Sequence, residues 1–234
     1  MRFPSPLLEG RLVRRYKRFL ADVELAGGEI VTVHCANPGS MLGLAEPGMR
    51  VLLSRSANAA RKLPLSWELV EAPGCGLVGI NTALPNRLVE EALRAGRIAE
   101  LAGYPTLRRE VPYGKGSRVD FVLAGPGRPD AYVEVKNVHF SRIPGLAEFP
   151  DSVTARGARH LDELVSVVAA GRRAAMLYIV QRTDSARFSV CGDLDPAYGA
   201  AFQRARAAGV EMLAHRCVIT AEEIAVGDAI PVVA

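Results

Sequence analysis

From Leu7 to about Glu71 apolar and polar residues change over at short range and helical periodicity is nearly absent. Ala21-Asp22-Val23-Glu24-Leu25 and Ile30-Val31-Thr32-Val33-His34 each alternate, and Gly27-Gly28 between them marks a turn. A second turn at Pro47-Gly48 introduces Met49 to Leu53, and Leu65 to Val70 alternates again. The pattern predicts about five strands, and a small barrel is the economical closure because it removes exposed strand edges. Ala72-Pro73-Gly74-Cys75-Gly76 then interrupts the chain, which places a domain boundary between residues 1–76 and 77–234.

Beyond that point the periodicity alternates between 2 and 3.6. A helix is predicted from about Pro85 to Gly96, strands near Arg109–Val111, Arg118–Leu123 and Ala131–Lys136, and a helix from about Ala155 to Ala170. Leu161, Leu164, Val165 and Val168 give that second helix its buried face, and Gly171 stops it. Ala174–Val180 is apolar for most of its length and should be a central strand. Asp195-Pro196 opens a third helix that ends before Gly209, and Val210–Val218 reads as a final strand. The expected fold class is therefore α/β (α+β): a β-barrel followed by a mixed-sheet domain with flanking helices.

Composition narrows the function classes only slightly. The 234 residues are 49% hydrophobic and 23% charged, which fits a soluble globular protein and neither disorder nor a fibrous repeat. No apolar run approaches a membrane span, and Met1–Phe19 has no signal-peptide core, so a cytoplasmic protein without a membrane partner is expected. Cys35, Cys75, Cys191 and Cys217 are scattered with no C-x-x-C pair and read as reduced thiols. A formal charge of +4 permits a polyanionic partner without requiring one, and oligomeric state stays open.

Gly74-Cys75-Gly76-Leu77-Val78-Gly79 matches the spacing of a dinucleotide-binding loop. Its context argues against a dinucleotide cofactor, because such glycines must join a strand directly to a helix N-terminus, whereas here Ile80-Asn81-Thr82 intervenes. More chemistry resides in Arg118-Val119-Asp120-Phe121-Val122-Leu123, the turn Gly125-Pro126-Gly127-Arg128-Pro129, and Tyr132-Val133-Glu134-Val135-Lys136. Alternation sends Val119, Phe121, Leu123, Val133 and Val135 to one face, and Asp120, Glu134 and Lys136 to the other. A hairpin symmetric about Gly127 sets Asp120 across from Glu134, barring a bulge. Facing carboxylates call for a divalent cation or a shared proton. Lys136 beside them could hold an attacking water or offset phosphate charge. The plain alternative is an exposed strand face with a surface Glu134–Lys136 pair.

In this context the hairpin resembles the PD-(D/E)xK nuclease superfamily. Cys35-Ala36-Asn37-Pro38-Gly39-Ser40-Met41, Gly79-Ile80-Asn81-Thr82, Ser117 to Phe121, Glu134-Val135-Lys136-Asn137-Val138 and Phe149 to Leu161 together resemble the sugar fermentation stimulation protein A family nearly end to end. The resemblance implies an OB-like, nucleic-acid-binding N-terminal domain and a restriction-endonuclease-like second domain. It also implies DNA as partner, with little sequence preference, and a link to the regulation of sugar (maltose) metabolism. The implied centre uses Asp120, Glu134 and Lys136, with Asp120, Glu134 and Val135 holding Mg²⁺ or Mn²⁺. That superfamily often adds an acid from the preceding helix. Glu91 is chosen over Glu90 because it lies nearer the apolar face of Leu84, Leu88 and Ala92, with Glu110 in reserve.

For nucleic acid, Arg156 and His160 share a helix face near its N-terminal end, beside Arg159. Arg11, Arg14, Arg15, Lys17 and Arg18 interleave with Tyr16 and Phe19 on what should be barrel strands, a combination that tracks phosphates and stacks bases. Asn37 and Ser40 in a turn, and Arg118 before Asp120, complete the expected contact set. A DNA-binding protein with little sequence preference and a metal-dependent phosphodiesterase are both compatible with these residues. A protein-interaction module built on the barrel is a third, remoter reading.

Overall fold

A computed structural model describes residues 1–114 and 116–233. The first sheet comprises β1 (Leu8–Tyr16), β2 (Leu20–Leu25), β3 (Ile30–Cys35), β4 (Arg50–Arg55), β5 (Leu65–Ala72) and β6 (Gly76–Gly79), in the order β3-β2-β1-β4-β5-β6. Parallel pairing of β3 with β5, His34 opposite Ser66 and Cys35 opposite Trp67, closes five of these strands into an OB-like barrel. Inward positions of every strand fill it: Leu12, Val23, Val33, Leu53 and Trp67 are almost wholly buried. At Gly10 a Cβ would come within 2.4 Å of Val23 Cγ1, so only glycine lets β1 and β2 approach so closely there. The expected β1 ends early, because Lys17 (φ 48°) and Arg18 (φ 61°) form a left-handed turn into β2. The sheet continues through β6, an antiparallel partner of β5, so the Gly74–Gly79 glycines serve a hairpin.

The second sheet is preceded by helix α1 (Pro85–Arg94) and a 3₁₀ turn, Ala99–Leu101. Its hairpin strands are β7 (Thr106–Tyr113), β8 (Ser117–Ala124) and β9 (Ala131–Val138), followed by β10 (Phe140–Ile143) and β11 (Leu146–Phe149). Then come α2 (Ala155–Ala169), β12 (Arg173–Val180), β13 (Arg187–Val190), α3 (Pro196–Ala207), β14 (Glu211–Ile219), β15 (Ile224–Ala229) and β16 (Val232–Val233). The order β15-β14-β12-β9-β8-β7 puts β12 between parallel β9 and β14, consistent with its apolar sequence. One face packs on α1 through Leu88, Val89, Phe121 and Val133. The other packs on α2 and α3 through Leu161, Leu164, Tyr178 and Phe202. Thr154 caps α2 by accepting from Gly157 N (3.0 Å), and Asp195 caps α3 by accepting from Tyr198 N (2.9 Å).

Sequence periodicity missed β10, β11, β13 and β16, which form a separate small sheet, and β15, which follows the strand expected to be last. These segments are mostly four residues or shorter and too brief to show a period. Polar contacts join the two domains: Thr183 Oγ1 donates to Cys75 O (2.7 Å), and Ser40 N and Oγ both donate to Asp151 Oδ2 (3.1 Å). No helix among the described residues is long and apolar enough to cross a membrane.

Candidate active site

The hairpin register is the symmetric one. Leu123 lies opposite Ala131, Val122 opposite Tyr132 and Phe121 opposite Val133. The ladder stops there, where Asp120 Oδ2 takes the Val135 N–H (2.7 Å) in place of a backbone carbonyl. Its other oxygen accepts from Asn86 Nδ2 (2.7 Å), a side chain in the first turn of α1. Both oxygens are thus oriented by neutral donors. Burial, and next the negative charge of Glu134, push the Asp120 carboxyl above its ordinary range.

Glu134 is 3% exposed. Its Oε1 accepts from Lys136 Nζ (2.7 Å) and contacts His160 Nδ1 on α2. Burial works to raise this carboxyl, but His160 and then Lys136 overcome it and hold it below its ordinary range. His160 Nε2 accepts from Arg156 Nε (3.2 Å), and its Nδ1 lies against both Glu134 Oε1 and Lys136 Nζ (3.2 Å). Asp120 and Glu134 are therefore driven in opposite directions, the separation that acid–base and metal chemistry exploits. Glu134 Oε2 is buried with no hydrogen-bond partner.

An orphaned carboxylate oxygen next to a second desolvated carboxylate fits a hard divalent cation. Among the described residues no three His, Cys, Asp or Glu side chains gather as metal ligands. A cation here would take Asp120, Glu134, the Val135 carbonyl and water, the mixed shell that Mg²⁺ commonly keeps.

The other expected residues divide. Glu91 is not brought to the centre: it is exposed and pairs with Arg97 (2.8 Å) and the Met1 amine (3.0 Å). Glu90 holds Arg94 and Arg109, and Glu110 projects from a left-handed position (φ 50°) whose carbonyl accepts from Arg118 (2.9 Å). The contribution of α1 is Asn86 instead, a neutral amide that carries no charge signal in the sequence. His160 is buried against Glu134 and cannot face a phosphate directly, whereas Arg156 is exposed.

On the barrel, Arg15 is withdrawn from the outer surface. Its guanidinium donates to the carbonyls of Asn37 (2.8 Å), Gly39 (2.9 Å) and Arg18 (3.0 Å). Asn37 is fully buried and structural, and Ser40 bonds Asp151 of the second domain through N and Oγ, both at 3.1 Å. Arg14 and Tyr16 converge on Asp22, with the Arg14 guanidinium 5.0 Å above the tyrosine ring. Lys17 and Arg18 are exposed on the β1–β2 turn. Beside them Phe19, 47% exposed, stacks on His34 (6.5 Å, 10°), and Arg61 of the β4–β5 loop donates to His34 Nδ1 (3.2 Å). His34 and Arg61 carried no motif; the β2–β3 hairpin, with Leu20 opposite His34, sets His34 beside Phe19, and the β4–β5 loop brings Arg61 to His34.

Two family models match in tandem: the SfsA N-terminal OB domain over residues 13–80 and the sugar fermentation stimulation protein RE domain over residues 83–223. A sugar fermentation stimulation protein homolog of Methylobacterium nodulans is 60% identical over 236 residues, covering 100% of this chain and 99% of the relative. One from Chelativorans sp. is 60% identical over 225 residues, covering 96% of each. Among solved structures, Pyrococcus furiosus SfsA in complex with Ca²⁺ is similar at a TM-score of 0.87 and 25% identity, covering 98% of this chain and 97% of that one.

Proposed function

This chain belongs to the sugar fermentation stimulation protein family, and we propose that it is a DNA-binding protein of low sequence preference whose second domain is a metal-dependent phosphodiesterase. The observation that carries the catalytic part is the buried, unpartnered Glu134 Oε2 beside Asp120, with the Lys136 ammonium 2.7 Å from the other Glu134 oxygen. Two carboxylates, one ammonium and an unfilled acceptor are the parts that in-line displacement at phosphorus needs. A bound Mg²⁺ or Mn²⁺ would supply Lewis-acid stabilisation of a phosphoryl oxygen and lower the pKa of a bound water. The Pyrococcus relative was solved in complex with Ca²⁺, a hard cation that takes oxygen ligands as Mg²⁺ does, which supports a cation-binding role for a member of this family. Lys136 is positioned to offset charge on the phosphate, and Asn86 and His160 fix the two carboxylates.

The DNA surface rests on Phe19, His34 and Arg61 on the barrel, with Lys17 and Arg18 beside them and Arg118 and Arg156 near the centre. Strand faces and the β1–β2 and β4–β5 loops are where OB-type barrels hold single strands, by stacking and phosphate contacts. A role in sugar (maltose) metabolism, following the relatives' name, would act through this DNA contact. The test incubates the protein with single-stranded, duplex and branched DNA in Mg²⁺ or Mn²⁺, against Glu134→Ala and Lys136→Ala. Cleavage by the parent alone is expected, and cleavage that survives both substitutions refutes the assignment.

A second reading has its own support. Glu134 Oε1 is neutralised internally by Lys136 and His160, an arrangement stable without an ion, as in a nuclease scaffold kept for DNA binding alone. DNA affinity that falls steeply with salt, with no cleavage under any cation, would favour it.

A further inference from the structure

Beyond the two carboxylates, the same end of the sheet holds two more polar atoms without partners. Tyr113 Oη and Glu163 Oε2 are both buried and, like Glu134 Oε2, make no hydrogen bond. Tyr113 ends β7 directly opposite Ser117, three residues before Asp120 on β8. Ser117 Oγ donates to Glu163 Oε1 (2.7 Å), which holds the glutamate against the hairpin end. Gly114 (φ 56°) makes room, since a Cβ there would lie 3.1 Å from the Glu163 carboxylate. On α2, Glu163 follows His160 by three residues, hence on the same face, and His160 touches Glu134. Tyr113 is held between these groups: burial, then Glu134, Glu163 and Asp120 in that order, push its hydroxyl upward, so it stays protonated and able to donate.

Tyr113 and Glu163 lie against each other, and with Glu134 Oε2 they put three buried oxygens that lack a well-formed hydrogen bond at this end of the hairpin, one of them on a residue 3% exposed, which is costly unless water or an ion supplies partners. Direct coordination by all of them is not what the side chains build, because no three carboxylates gather around one point among the described residues. A hydrated cation has the complementary chemistry. Its waters donate to carboxylates and accept from a hydroxyl.

Resting on the metal-centre reading above, we propose that Tyr113 and Glu163 form the outer rim of the cation site, hydrogen-bonding the water that a hydrated Mg²⁺ or Mn²⁺ carries when Asp120 and Glu134 hold it. They are positioning residues. They act on the cation through its water and make the site selective for ions that retain their hydration. The alternative occupant is one trapped water that satisfies the three oxygens with no cation present.

Mn²⁺ binding to the full-length protein, measured by calorimetry, tests this without recourse to cleavage. Tyr113→Phe and Glu163→Gln should each weaken Mn²⁺ binding by about 10- to 100-fold, the usual effect of removing an outer-shell partner. The melting temperature of the metal-free Tyr113→Phe protein should stay the same or rise, because that substitution removes a buried hydroxyl without a partner, while Glu163→Gln keeps the oxygen that Ser117 bonds and should leave the metal-free melting temperature close to the parent's. Variants that bind Mn²⁺ within twofold of the parent overturn the proposal and leave the trapped water as the occupant. A drop in the metal-free melting temperature with unchanged affinity also overturns it, by revealing a purely structural role. If the parent binds no Mn²⁺, or Asp120→Asn binds it as well as the parent, the underlying metal-centre reading fails instead.

Discussion

The carboxylate of Asp120 accepts the backbone N–H of Val135 at 2.7 Å, one residue past the point where β8 and β9 cease to pair. A side chain thereby substitutes for the missing ladder carbonyl and props the strands apart at the place where the Glu134 and Lys136 side chains meet. Removing the acceptor strands a partly buried N–H, which costs about 1–3 kcal/mol. Asp120→Ala should therefore lower stability by that amount in urea unfolding. Asp120→Asn keeps an oxygen for Val135 N and can rotate its amide relative to Asn86, so it should unfold near the parent's midpoint while losing cation binding and cleavage. Equal destabilisation by both substitutions would show that the backbone bond is not what Asp120 contributes.

Glu134 and Lys136 form a pair whose side chains are 4% and 13% exposed, so breaking it from one side leaves an uncompensated buried charge. Lys136→Met should remove DNA cleavage and cost about 3 kcal/mol or more in stability. His160 still contacts Glu134 in that variant, so the protein should fold, and its DNA affinity should stay within a few-fold of the parent's. Chemical denaturation and a mobility-shift titration on the same preparation separate the two effects. A variant with full stability would mean that Lys136 is solvated in solution.

Why the hairpin was legible and its helical surroundings less so follows from the range of the interactions. Period-two alternation and a single glycine-centred turn fix the register as far as Phe121 opposite Val133, so Asp120 and Glu134 could be brought to the same hairpin end from sequence alone, although the ladder stops before them and Asp120 bonds Val135 N instead. Asn86, Tyr113 and Glu163 reach the same site from three other elements, and no local pattern reports where α1 and α2 land on the sheet. A partial signal existed on α2: Arg156, His160 and Glu163 recur at four- and three-residue spacing, the mark of one helix face. Glu91 failed for the opposite reason. Helical-wheel position indicates a face, but the Met1 amine and Arg97 pair with that exposed carboxylate away from Asp120 and Glu134. Arg15 likewise shares its charge with Arg14 and Arg18, and only the looping of residues 37–40 over it turns a surface cation into a backbone clamp.

That clamp makes a prediction about the barrel. Arg15 serves four carbonyls, those of Arg18, Asn37, Gly39 and Ser40, and has little left to offer a phosphate. Arg15→Ala should reduce thermal stability, by about 1–3 kcal/mol, because several partly buried carbonyls lose a charged donor. The salt dependence of DNA binding should be unchanged, since no phosphate contact is lost. A reduced salt slope with intact stability would return Arg15 to the DNA surface.

Asp151 joins the domains and gives the seam a pH dependence. Burial acts to raise its carboxyl, but His139 and then the Ser40 donors overcome this and bring it from 3.8 down to about 2. A folded pKa below the unfolded one contributes stability that is fully present above about pH 4 and is lost as pH falls through about 2. The gap corresponds to about 2 kcal/mol. Asp151→Asn should therefore be less stable than the parent at pH 7 by roughly that amount, with the difference shrinking between pH 4 and pH 2. Urea midpoints for both proteins across that range provide the check. A difference independent of pH would show that the seam depends on the shape of Asp151 rather than its charge.

On the barrel surface, stacking and charge can be separated residue by residue. Phe19 leaves nearly half its area to solvent beside the near-parallel, offset His34 ring, 6.5 Å away between centroids, so a base can add to an aromatic pair already in place. Arg61 donates to His34 Nδ1, which steadies that ring and leaves a cation at the edge of the stack. Phe19→Ala should weaken binding of a single-stranded oligonucleotide by about 1–3 kcal/mol and leave the salt slope alone, because it removes a π-face and no charge. Arg61→Ala should lower affinity more at low salt than at high salt and reduce the slope by about 1, the signature of one phosphate contact. Fluorescence anisotropy over a salt series measures both quantities at once. If Phe19→Ala binds like the parent at every salt concentration, the stack is a structural cap on His34 and the DNA path lies elsewhere, along Arg118 and Arg156.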